Sequence, residues 1–262
     1  MVTKKNTFAP DVPLYLRPAA MKYLRALVRA NRKDPVEARE WFLANKATYE
    51  AELKQPMLGI IRHVTNAMLE FAPEHVRPAD KSFFRIYRDT RFSNDKRPYK
   101  EHVAAWWAHG ALEKTSGAGF YFHISPTEVI LAAGAYMPEK EQLAAIRHWL
   151  LDHHEELRAE LEGKALRKHF ELFEGNALTR PPKGFPAEHA GMDLIRCRQW
   201  GVSATLPVEA ALEPGLAENI VQHFRLAAPL VGLLNEPIVE SLTPRKPLIF
   251  GLSGGVKPAK TR

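Results

Sequence analysis

GFYFHISPTEVILAAGAY, residues 119–136, is the stretch that decides the fold. Two runs rich in aromatic and β-branched residues flank a Pro126-Thr127 break. That is the pattern of two antiparallel strands joined by a short turn, and it places a hairpin at the centre of a sheet. On both sides the apolar period lengthens to that of a helix.

Downstream, Pro138-Glu139 opens a helix to about residue 160, with Leu143, Ile146, Leu150 and Leu157 as its apolar stripe. Upstream, Met21, Leu24, Leu27 and Val28 give residues 18–30 one apolar face. Asp34-Pro35 reads as an N-cap with proline in the first turn. The following EAREWFLANKATYEAEL brings Trp41, Phe42, Asn45 and Tyr49 onto adjacent turns, and Pro56 ends that helix or starts the next. Leu58, Ile61, Val64, Met68 and Phe71 then face inward. LTRPPKGFPAEHAG (178–191) reads as an ordered non-helical loop. DLIRCRQWGVSATLP reads as a strand pair or a strand plus turn, and residues 217–235 as a last amphipathic helix. Helices around a strand-rich middle, with no regular βαβ alternation, predict an α+β fold with a central, mainly antiparallel sheet flanked by helices.

Composition sets the outer limits. The chain has 262 residues, enough for one large domain or two small ones, and a net charge of +7. The expected organisation is a disordered N-terminus (1–13), a single α+β domain (14–245) and a flexible basic tail (246–262). Cys197 is the sole cysteine, which excludes an intramolecular disulfide and a cysteine-based zinc cluster. The start carries no apolar signal-peptide core, and no window is long and apolar enough to span a membrane. A cytoplasmic protein without a membrane partner is expected.

The charge is concentrated in one place. Between Lys81 and Lys100, seven cations against two carboxylates leave +5 of the chain's +7. Phe83, Phe84, Tyr87, Phe92 and Tyr99 interleave with them. FFRIYR reads as a strand, and Ser93-Asn94-Asp95 with Pro98 reads as the cap and first turn of a helix. A strand leading into a helix N-terminus among arginines is suited to hold an anion. Arg85, Arg88, Arg91, Lys96, Tyr99 and Lys100 are the candidate ligand-binding residues. Asp89, His123 in the strand and His189 in the loop are candidates for proton transfer, with Glu188 as a further acid. Two other readings compete. Asp89 and Asp95 suit an internal ion-pair network that fixes the junction and serves a protein partner. Cations among aromatics also suit nucleic acid. An anionic small molecule is the first-choice partner.

Other motifs carry less. His153-His154-Glu155-Glu156 lacks the spacing that puts ligands on one helix face, so no metal is expected. GLSGG lacks a nucleophile-elbow setting, and no phosphate-cradling or dinucleotide fingerprint occurs, so no cofactor is expected.

RIYRDTRFSNDKRPYKEH (85–102) resembles the signature block of the domain of unknown function 2461 family. GFYFHISPTEVILAAGAYMPEKEQLAAIR, PPKGFPAEHAGMDLIRCRQW and EWFLANKATYE resemble further blocks of it. Together they cover most of residues 20–235 in the family's order. The resemblance implies an α+β fold and a soluble protein, and no activity. Two departures stand out: Asn31 lies ten residues before Trp41 rather than close to it, and Ala190 follows His189 where the family more commonly has proline.

Overall fold

A computed structural model describes residues 13–113 and 116–242. The expectations for residues 1–12, for the basic tail and for GLSGG lie outside the described residues.

The sheet forms where residues 119–136 place it. Strands β1 (Val103–Ala108), β2 (Gly119–Ile124), β3 (Glu128–Ala135), β4 (Glu171–Leu172) and β5 (Trp200–Pro207) line up in the order β1-β2-β3-β5-β4. Every pairing is antiparallel. The β2–β3 hairpin turns through Ser125, whose hydroxyl accepts from the N–H of Thr127 (3.2 Å) and of Glu128 (3.1 Å). The hairpin supplies the middle of the sheet, with β3 the central strand.

The helices carry the predicted stripes. Helix α1 (Pro18–Lys33) is followed by α2 (Pro35–Ala44), whose N-cap Asp34 accepts from the N–H groups of Val36 and Glu37. Helix α3 (Lys46–Tyr49), one wide π-helical turn (Glu50–Lys54) and α4 (Gln55–Met68) then run on continuously. Pro56 has no N–H to give to the turn behind it, and the wide turn absorbs that break. A short helix α5 (Ala79–Ser82) precedes the basic segment. Helix α6 (Lys140–Glu162) starts with a capping box between Glu139 and Gln142. Short helices α7 (Lys164–His169) and α8 (Met192–Ile195) lead to β4 and β5, and α9 (Leu216–Leu242) closes the described chain. DLIRCRQW therefore opens as a helical turn and only Trp200 onward is strand.

One face of the sheet is the core. Phe120, Phe122, Leu131, Val202 and Trp107 are buried there, and α9 crosses above them with Phe224 at 5.2 Å from the Phe120 ring and 5.6 Å from Trp107. Each fully buried side chain of this kind contributes roughly 1.5–3 kcal/mol. Polar groups in this layer are matched. Trp107 Nε1 donates to Thr65 Oγ1 at 2.9 Å, and Asn235 bonds both the N–H and the C=O of Ala118. Among the described residues, no helix is long and apolar enough to cross a membrane.

The basic segment corrects the expectation of a strand feeding a helix. It is an irregular hairpin arm whose returning limb becomes β1. Phe83 pairs with Ala105 and Tyr87 with Tyr99. Along the arm Phe84 N–H donates to Ala104, Lys100 N–H to Ile86 and Arg88 N–H to Pro98, at 2.8–2.9 Å. Asp95 accepts from the N–H of Arg97, a local turn rather than a helix cap. The chain then stays extended because VAAWWA pairs into the sheet.

Candidate ligand site on the open face of the sheet

Successive strand residues point to opposite faces. With Phe120, Phe122 and Ile124 in the core, Tyr121 and His123 take the other face. The register sets Trp106 of β1, Ala132 of β3 and Ser203 of β5 in line with Tyr121. Ala104 and Ile130 flank His123 in the same way. One step further, Ala108, Gly119, Gly134 and Gly201 form a row. The open face thus has a floor of small residues.

Two of those glycines make room for the walls. A Cβ on Gly119 would stand 2.7 Å from the Trp106 ring, and one on Gly201 would stand 2.5 Å from the Phe173 ring. The two aromatic rings therefore lie down over bare backbone. Phe84 and Lys100, the stems of the basic arm, complete one side, and Tyr136 the other. The result is a cavity of about 530 Å³, within the range typical of small-molecule sites. It is mainly apolar, with Lys100, His102, His123 and Ser203 among the polar residues that line it.

The polar groups are arranged rather than scattered. The His102 and His123 rings stack at 4.8 Å and 28°. Tyr121 Oη lies 3.1 Å from His123 Nδ1. Burial is the main cause that moves all three. It lowers the His102 imidazole to about 4, helped by neighbouring His123 and Lys100. It lowers His123 as well, and raises the Tyr121 hydroxyl to about 12. At neutral pH the pair is two uncharged imidazoles beside a protonated phenol. Lys100 Nζ lies 4.5 Å above the Phe84 ring. The buried Nε1 of Trp106 has no hydrogen-bond partner among the described residues.

The residues singled out from sequence fall into three places. His123 and Lys100 meet in the cavity. The arm tip holds Asp89, Arg88, Arg91 and Lys96. Arg91 pairs with Asp89 (2.7 Å), Arg88 and Arg97 both pair with Asp95, and Arg97 also pairs with Glu101 (2.8 Å). The Arg91 guanidinium holds the Asp89 carboxyl down at about 2. Lys96 donates to the Thr90 carbonyl at 3.0 Å, and Arg85 is exposed. Tyr99 is buried, stacked on Phe42 at 4.4 Å. His189 is in a third place, where Nε2 lies 2.9 Å from the Leu151 carbonyl and Nδ1 accepts from Gly191 N–H at 3.0 Å. Nε2 ties the loop to α6, and Nδ1 closes a turn within the loop.

His102, Trp106, Tyr121 and Ser203 were not singled out by sequence. Tyr121 and Ser203 are the less apolar members of strands β2 and β5, Trp106 lies in the uniformly apolar VAAWWA, and His102 precedes that strand, so no local pattern groups the four. No group of three or more metal-ligating side chains occurs among the described residues.

Comparison with known proteins supports the family resemblance. No curated protein and no solved structure matches the chain. A family model matches residues 19–232, from the start of α1 well into α9. The chain belongs to the family described as conserved hypothetical protein (DUF2461).

Proposed function

We propose that the protein binds a small organic anion, carboxylated or phosphorylated, in the cavity on the open face of the sheet. The observation that carries this reading is the cavity's construction: aromatic walls laid over a floor of glycine and alanine, with a cation at one margin. Flat apolar rings are favoured between Trp106, Tyr121 and Phe173 by burial and stacking. The Lys100 ammonium supplies charge for a carboxylate or phosphate at the rim. The arginines of the basic arm are engaged with Asp89, Asp95 and Glu101. Their role in this reading is to shape the arm that carries Phe84 and Lys100. The unpaired Cys197 suits a reducing compartment, and the cytoplasm is the proposed location.

Isothermal titration calorimetry with benzoate, phenylacetate and phenyl phosphate tests the proposal. Saturable binding to the wild type, abolished in Ala132→Phe, is expected. Circular dichroism establishes that the variant is folded. Absence of saturable heat with all three, or equal heat in the filled variant, overturns it.

A further inference from the structure

The site's polar groups are more specialised than binding needs. Two imidazoles lie face to face at the edge of an apolar cavity, and a phenol fixes one of them. Neither ring nitrogen of His102 bonds a described residue, and the same is true of His123 Nε2. A histidine kept for packing normally spends its nitrogens on protein partners, as His189 does here. His102 and His123 instead keep theirs for the cavity.

Resting on the binding reading above, we propose that this site catalyses proton transfer on an aryl-bearing carboxylate with an acidic C–H next to a carbonyl, with His102 as the general base. The ring of such a molecule lies against Trp106 and Tyr121, and its carboxylate faces Lys100. His102 takes the proton from carbon. The C–H electron pair becomes the C=C bond, and the carbonyl π pair moves to oxygen as an enolate. His123 Nε2–H donates a hydrogen bond to that oxygen. The proton on His102 then passes to the oxygen, giving the enol, or a solvent-derived proton returns to carbon. No oxidant, metal or second substrate enters the balance.

Tyr121 is a positioning residue. With its hydroxyl donating to Nδ1, the His123 ring proton sits on Nε2, where the enolate forms. The surroundings keep His102 in its basic form. Burial, His123 and Lys100 lower its proton affinity, while Glu101 raises it slightly. Around His123, burial lowers the proton affinity and Glu128 raises it. Tyr121 and Tyr136 are the remaining titratable groups at the cavity.

Phenylpyruvate is the probe. Its binding is measured by calorimetry, and exchange of its benzylic protons in D2O is followed by proton NMR. The expected result is saturable binding and exchange accelerated roughly 100-fold over buffer, within the usual range for a positioned base. His102→Gln should lose the acceleration while changing Kd by less than about threefold, well under 1.4 kcal/mol. Tyr121→Phe should lower the exchange rate with Kd unchanged. The wild-type rate should stay level from pH 8 to about 6 and fall as pH approaches about 4, where His102 takes up its proton. Binding without acceleration overturns the proton-transfer inference and leaves the binding reading standing. Acceleration that survives His102→Gln overturns the assignment of the base. Failure of phenylpyruvate to bind, when benzoate or phenylacetate does, overturns the substrate class. Failure of all of them removes the binding reading and this inference with it.

Discussion

The side-chain amide of Asn31 grips both backbone groups of Tyr99. Nδ2 donates to the Tyr99 carbonyl at 2.9 Å, and the Tyr99 N–H donates to Oδ1 at 3.3 Å. Asn31 is 2% exposed. An amide at the end of α1 thus stands in for a neighbouring strand and pins the returning limb of the basic arm. That limb continues into Lys100 and His102, so the clamp also sets one wall of the cavity.

Asn31→Ala leaves two buried peptide groups without partners, and stranded groups of this kind cost about 1–3 kcal/mol each. The expected loss is about 2–4 kcal/mol in urea unfolding. Hydrogen exchange at Tyr99 and Lys100 should accelerate with it. A loss under about 0.5 kcal/mol, the size of an ordinary surface change, would falsify the clamp.

The arm should loosen in acid. Arg97 first, and then Arg88, hold the Asp95 carboxyl below the usual carboxylate range, and Arg91 holds Asp89 at about 2. Their folded proton affinities are depressed. The contribution is therefore present above about pH 4, where an unfolded aspartate is ionised, and is lost as pH falls through the folded values. Amide exchange protection at Arg88 and Lys100, corrected for intrinsic rates, should drop between about pH 4 and 2. Asp95→Asn should show reduced protection already at neutral pH. These side chains are partly exposed, so the effect on global stability should be small. Equal protection in variant and wild type at neutral pH would show that the ion pairs do not order the arm.

Gly134 sits at φ +136°, where a side chain is strained, and a Cβ there would come 2.3 Å from the Trp200 carbonyl. Gly134→Ala should cost about 3 kcal/mol through strain and separation of β3 from β5. Denaturant midpoints measure this. A neutral substitution would mean that the central strands do not approach so closely.

Stability should fall in mildly acidic solution for a different reason. Burial lowers both His75 and His102 to about 4. Around His75, Glu74 opposes that shift, while His109 and Arg77 add to it. An unfolded histidine takes its proton near about 6.5, so between about 6.5 and 4 the unfolded chain binds more protons. Stability therefore rises with pH across that window and is lost as pH falls. His102→Gln should flatten part of the slope in urea midpoints recorded from pH 7 to 4.5 (values about the imidazole range). A slope identical to wild type would place His102 in water rather than under the arm.

The sheet and its hairpin were legible because the code for them is local. Phe120 and Phe122 alternate with Tyr121 and His123, Val129 to Leu131 form a short β-branched and apolar run, and a two-residue break falls between the runs. The long helices were legible for the same reason, from stripes at 3.6-residue spacing and from Asp34-Pro35. The arm was misread at Ser93-Asn94-Asp95. These residues cap helices and make turns equally well, and the choice was made by VAAWWA pairing into the sheet beyond them.

The site divides along the same line. Sequence by itself put His123 in a strand of the central hairpin, and the structure turns it away from the core. Sequence also determined that acids and arginines sit close enough in residues 85–100 to neutralise one another. It did not determine that His123 would meet His102, which lies across a strand pairing, or that Phe173 would cover Gly201 from a distant loop. Those meetings depend on register and on which rings find bare glycine to rest on. They are set by packing among segments far apart in the chain, and only the folded chain decides them.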